Sequence, residues 1–207
     1  SCRTTSTYNN YFGDTSNAAL ANYPDAQFIM HTGNYGSGID AKYFNGFFSQ
    51  LSGIAASKPL VALPVSYGLF NQQFTYNFNL PNASSQTQNY SLVYDDALIL
   101  CLNSTSTSTA SINNHINWMS NEIAQKGEGK WIVVAIGNNF YGGRSNNTAI
   151  KSKLTAAFEQ LGVALVIQGK DNMYARSYPM VSGQPNTNID QANFSTKEGV
   201  VYLSPGN

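Results

Sequence analysis

Apolar residues fall along this chain in short blocks whose period changes repeatedly. Ala26–Thr32 is an apolar run between turn residues and predicts a buried strand. Asp40 can cap a helix through Ser57, in which Phe44, Phe47, Phe48, Leu51, Ile54 and Ala55 keep helical spacing. Leu60–Pro64 predicts a second buried strand. Phe74–Leu80 alternates aromatic with polar residues, the pattern of a half-buried strand or an extended loop. Ser91–Tyr94 and Ala97–Leu102, split by Asp95-Asp96, predict a hairpin. Asn103–Ser111 is rich in Ser and Thr and reads as a solvated loop. Ile112, Ile116, Met119 and Ile123 then form one stripe of an amphipathic helix ending near Gly127. Trp131–Ile136, Val163–Gln168 and Val200–Leu203 predict strands, and Thr148–Leu161 a helix. Alternation of this kind, without an internal repeat or a long linker, predicts α/β layers in a single domain over residues 1–207.

Composition narrows the function classes. The chain of 207 residues has 11 Lys or Arg and 11 Asp or Glu, with no basic cluster. A nucleic-acid partner is therefore not expected, because such binding rests mainly on phosphate neutralisation. No apolar run approaches the roughly 18 residues of a spanning helix. Only 11% of residues are charged, against about 25% in ordinary soluble domains. Polarity comes instead from Asn, Ser and Thr, whose neutral side chains let copies of one surface approach closely. N-x-[ST] sequons at Asn82, Asn89, Asn103, Asn146 and Asn193 are candidate glycan sites. With the low charge, and a start at Ser1 rather than at Met or an apolar leader, they predict a secreted or extracellular protein. Two readings stand for the cysteines. Cys2 and Cys101 form a disulfide in an oxidising compartment, or Cys101 is a buried thiol in its apolar run and Cys2 is loose.

In α/β folds ligands gather where strands end. Four turns here occupy such places: His31-Thr32-Gly33-Asn34, Pro64-Val65-Ser66-Tyr67-Gly68, Gly137-Asn138-Asn139-Phe140-Tyr141, and Gln168 through Arg176. Their surroundings resemble the calcineurin-type metallophosphoesterases, most closely the purple-acid-phosphatase-like branch. GVALVIQGKDNMYARSYP (Gly162–Pro179) resembles a closing block in which a strand leads to G-H-x-H-x-Y-x-R. FIMHTGN resembles F-I-x-H-T-G-D, PLVALPVSYG resembles P-x-x-x-x-x-G-N-H-E, and VVAIGNNFY resembles V-V-x-x-H-x-P-x-Y. The helix with Trp118, Met119, Glu122 and Ile123, and the final GVVYLSPGN, fit the same order.

The resemblance implies a four-layer α/β/β/α sandwich with two mixed β-sheets. It also implies a reaction in which two metal ions clamp a phosphoryl group and activate hydroxide. Position by position, the implied metal ligands are replaced. The bridging Asp falls on Asn34, the G-N-H pair on Ser66 and Tyr67, the His of H-x-P on Gly137, and the last two His on Lys170 and Asn172. The first Asp motif falls at or before Ser1–Arg3, where no Asp stands. No metal or other cofactor is expected of such a set. The opening strand is missing, so another part of the protein or another chain is expected to complete the sheet. Tyr141, Tyr174 and Arg176 survive, and with Asn139 they are candidate binding residues.

Other residues carry less. His31 could be a ligand but reads as a packed strand residue, and His115 reads as a surface residue on the polar side of its helix. Asp95-Asp96 needs only a hairpin turn to explain it, and not calcium. Lys170, Arg176 and Arg144 form either an anion pocket or a solvated set. The leading expectation is a catalytically inactive, metallophosphoesterase-like, secreted structural or self-assembling subunit, a homo-oligomer. The alternatives are a carbohydrate- or anion-binding module using the vestigial pocket, and an active phosphoesterase of acid phosphatase type with an altered metal site.

Overall fold

The computed structural model describes residues 11–33, 35, 41–64, 70–84, 88–142, 148–171, 173–189, 195 and 198–206. The chain divides into two compact units, Ser1–Asn79 and Leu80–Asn207.

In the first unit, helix α1 (Tyr11–Asn22) precedes strand β1 (Ile29–His31), helix α2 (Ala41–Gln50), strand β2 (Leu60–Ala62) and helix α3 (Phe70–Asn77). Strands β1 and β2 pair in parallel, Ile29 opposite Leu60 and His31 opposite Ala62. The core of this unit is aromatic. Tyr35 is buried, its ring 5.7 Å from Phe44, 5.0 Å from Phe47 and 5.7 Å from Phe74. Edge-to-face and offset pairs of this kind add about 0.5–1.5 kcal/mol each beyond the area they bury.

Two expectations change here. The helix expected through Ser57 is regular only to Gln50, because Gly53 adopts φ +88 and cannot continue it. Leu51 and Ile54 nevertheless stay in the core. Most of Phe74–Leu80 is the end of α3 rather than a strand or extended loop. Phe74 and Phe78 stand four residues apart, close enough on one helical face for their rings to meet at 4.7 Å.

The second unit holds a six-stranded mixed sheet in the order β3-β4-β5-β6-β10-β7. Its strands are β3 (Tyr90–Tyr94), β4 (Ala97–Leu102), β5 (Trp131–Ile136), β6 (Val163–Gln168), β7 (Tyr174–Arg176) and β10 (Val201–Pro205). Helix α4 (Thr109–Lys126) lies between β4 and β5, and helix α5 (Thr148–Gln160) between β5 and β6. The hairpin β8 (Met180–Val181) and β9 (Gln184–Pro185) follows β7. Strands β4, β5, β6 and β10 run parallel, with β3 and β7 antiparallel at the edges. Leu98, Leu100 and Leu102 pack with Ile132, Val134 and Ile136 under Ile112 and Met119 of α4 and Leu154 and Phe158 of α5. Each such fully buried side chain contributes roughly 1.5–3 kcal/mol relative to exposure.

Helix α4 is capped at both ends. Ser108 Oγ accepts from the Ser111 N–H, and the Gly127 N–H donates to Ile123 O. A Cβ at Gly127 would fall 2.7 Å from Ile123 O, so glycine is needed at this close approach. The segment before this helix is less solvated than its composition suggests, because Asn103 and Ser104 are buried. With α4 and α5 packed on the sheet, the unit is a layered α/β fold. Among the described residues no helix is long and apolar enough to cross a membrane.

Candidate functional site

The parallel strands of the second unit end level with one another. Leu102, Ile136 and Gln168 are register partners across β4, β5 and β6, so Asn103, Gly137 and Gly169 leave the sheet side by side. Three turns therefore meet at one sheet end.

Gln168 ties the turns together. Its Oε1 accepts from the Phe140 N–H at 2.8 Å and the Tyr141 N–H at 3.4 Å. Its Nε2 donates to Tyr141 O and, at 2.9 Å, to Ser204 Oγ. The Gly169 N–H donates to Ile136 O at 2.9 Å. A fully buried amide with all these groups satisfied holds the loop after β5 against the ends of β6 and β10.

Lys170 bridges the next gap. Its Nζ donates to Asn138 Oδ1 at 2.8 Å, and Asn138 Nδ2 donates to Ser104 O at 3.3 Å. The Lys170 backbone has φ +57, the left-handed region. Partial desolvation lowers its ammonium from the ordinary lysine pKa. Asp171, buried beside the exposed Lys170, accepts from the Met173 N–H at 3.2 Å and shapes the turn.

Of the residues singled out in the sequence, Gly137, Asn139 and Lys170 belong to this cluster, and Asn139 is buried. The Tyr141 side chain lies against α5, where Lys151 Nζ sits 3.8 Å from its ring centroid. Burial and then the Glu159 charge raise its pKa, against a hydrogen bond with Thr155. There it lines a cavity of about 510 Å³ with Lys151, Thr155, Glu159 and Ser182. Tyr174 and Arg176 are exposed on edge strand β7, opposite Pro205 and Leu203. Asn34, Ser66, Tyr67, Asn172, Arg144, Asn146, Asn193 and Cys2 lie outside the described residues.

The histidines divide. His31 is packed as expected, its ring 5.2 Å from Phe12, 4.7 Å from Tyr35 and 5.0 Å from Phe47, and burial pushes its pKa down to about 3. His115 is not on the surface. It is buried between Asn89 and Ser111, because its side of α4 faces the corner where β3 begins and β4 ends. Two sequon asparagines are buried with it. Asn89 and Asn103 are buried with their amides hydrogen-bonded, whereas Asn82 is exposed. Cys101 is a buried free thiol, and burial raises its pKa to about 12. Asp95-Asp96 makes the β3–β4 turn, where Lys130 Nζ reaches Asp95 O at 3.1 Å.

Sequence reasoning favoured Asn139 and passed over Asn138 and Gln168, which make the defining contacts. Gln168 did carry a signal, as an amide at the end of an otherwise apolar buried strand.

Of the six positions that the sequence resemblance sets against metal ligands, Gly137 and Lys170 are described. Gly137 has no side-chain donor, and Lys170 brings an ammonium, which has no lone pair for a cation. Among the described residues no group of three or more His, Cys, Asp or Glu could hold a metal ion.

Neither protein-family models nor curated proteins match this sequence. Among solved structures, the chain is similar to a purple acid phosphatase isolated from yellow lupin (Lupinus luteus) seeds, with a TM-score of 0.70 and 13% identity. The similarity covers 94% of this chain and 39% of the lupin chain. At that identity it establishes the fold, and this chain spans well under half of the lupin protein's length.

Proposed function

We propose that this chain is a phosphoesterase-fold protein without metal-dependent catalysis, retained as a secreted structural or self-assembling subunit. The observation that carries the reading is the hydrogen bond from Lys170 to Asn138. At the position that the sequence resemblance sets against a metal-binding histidine, a cationic side chain closes the gap between two turns. A divalent cation placed there would meet an ammonium in place of a lone pair, and among the described residues no cluster of carboxylates offsets the charge. The substitutions at Asn34, Ser66, Tyr67 and Asn172 extend the same trend along the sequence. Self-association is supported by the low content of charge, which leaves little repulsion between copies.

The test pairs two measurements on the purified protein. Light scattering after size exclusion reads assembly, and phosphate-monoester hydrolysis with added iron, zinc or manganese reads chemistry. The reading expects particles of several copies and no turnover. Metal-dependent turnover overturns the loss of catalysis, and a monomer at all concentrations overturns the structural role.

A further inference from the structure

His115 is held on both sides of its ring. Nδ1 lies 2.9 Å from Asn89 Nδ2, and Nε2 lies 3.2 Å from Ser111 Oγ. A donor that cannot change its role fixes the proton positions. The Asn103 backbone N–H donates to Asn89 Oδ1 at 2.9 Å, so the Asn89 amide turns its NH2 toward the ring. Nδ1 must then accept, which places the imidazole proton on Nε2, where it donates to Ser111. A second proton would set an N–H at Nδ1 against the Asn89 NH2. Rotating that amide only moves the conflict to the Asn103 N–H. Both side chains are buried, so water offers little relief.

The corner that His115 braces is where β4 ends. Asn103 Oδ1 accepts from the Thr105 N–H at 3.0 Å, and its Nδ2 donates to Gln88 Oε1 at 3.3 Å. Ser104 follows, and its carbonyl accepts from Asn138, which holds Lys170. One run of hydrogen bonds therefore leads from the ring to the strand-end turns.

We propose that His115 is a proton-operated latch on this corner. Neutral, it fixes Asn89, Asn103 and the loop through Thr105. Protonated, it releases that loop and the Ser104 carbonyl that anchors Asn138. Groups packed around it do not favour the cation. Burial is the cause of the ring's lowered pKa. On its own helix, Glu122 is bonded to Lys126 and Ser91. Lys153 of α5 reaches Thr109 at the start of α4. Cys101 of β4 is held as a neutral thiol by burial, with a hydrogen bond to Tyr90 of β3. The latch therefore stays shut at neutral pH and opens as pH falls below the ordinary histidine range.

Two measurements on the intact protein decide this. Ring nitrogen chemical shifts should show the neutral Nε2–H form at pH near 7.5. Hydrogen exchange of the Asn103 and Thr105 amides, normalised to intrinsic rates and to Val134 in β5, should lose about tenfold protection between roughly pH 7.5 and 4.5. Asn89→Asp puts an acceptor opposite Nδ1, so acid should no longer release the loop. His115→Gln should remove the pH dependence. A neutral Nδ1–H ring, or wild-type protection that does not change with pH, overturns the latch, and both readouts stand even where a variant fails to fold.

Discussion

The Lys170 ammonium lies 2.8 Å from the side-chain oxygen of Asn138, joining the turn after β6 to the turn after β5. The partner is a neutral amide, so this contact joins a charge to a dipole. It also uses the oxygen that Asn138 would otherwise offer to a ligand. Among the described residues, this sheet end presents the buried amides of Gln168, Asn138 and Asn139 beside the exposed Lys170 and the buried Asp171.

The backbone at Lys170 separates two effects of substitution. Lys170→Ala loses the bond to Asn138 and keeps the positive φ of 57, at a cost of about 1 kcal/mol after allowing for solvent. Lys170→Gly loses the same bond but relieves about 1 kcal/mol of left-handed strain. Urea unfolding should place the glycine variant within about 0.5 kcal/mol of wild type and the alanine variant clearly below it. Equal losses in both would contradict this account of the turn.

Gln168 should matter more than any charged residue of the cluster. Gln168→Leu leaves the Phe140 N–H and the Tyr141 carbonyl without their partner in a buried place. The expected cost is about 3 kcal/mol, read as a fall in Tm of roughly 10 °C. A fall under about 2 °C would show that the clamp is not needed.

Acid should weaken the protein through His31. Its folded pKa of about 3 lies below the ordinary histidine value of 6.5, so on acidification the unfolded chain takes up a proton that the folded chain refuses. Stability is complete above about pH 6.5 and declines toward pH 3, with about 2 kcal/mol lost by pH 5. His115 works in the same direction, since its pKa is also lowered. His31→Phe keeps an aromatic ring in the cluster and should lose roughly 2 kcal/mol less than wild type between pH 7 and 5. Parallel losses in both proteins would contradict this assignment.

Exposure distinguishes the described sequons. On secretion through a glycosylating host, peptide mapping should find glycan at Asn82, and Asn89 and Asn103 bare. Glycan on Asn89 in folded protein would contradict the buried corner.

Much of the fold was legible, for identifiable reasons. Buried parallel strands such as Val163–Gln168 and Trp131–Ile136 are near-continuous apolar runs bounded by turn residues, and the structure places them where the sequence predicts. Helix α1 was not foreseen, because its inward positions include Gly13 and Ser16, which give the periodic signal little weight. Helix α3 was misread because Phe74, Tyr76 and Phe78 alternate as a strand would. Only the spacing of Phe74 and Phe78 fits the helix, and the aromatic cluster decides for it. His115 was misplaced for a different reason. Polar periodicity assigns Asn, Ser and His to solvent, whereas here they satisfy one another in a buried network. The site was legible as a set of strand-end turns. Which side chains would bond there depended on register, and register brings Gln168 and Ile136 level.

Elemental analysis of the purified protein, after incubation with iron, zinc and manganese and removal of free ions, tests the central claim most directly. The account predicts far less than one bound metal ion per chain, with the protein otherwise folded. About two ions per chain, the complement a dinuclear phosphoesterase requires, would contradict it.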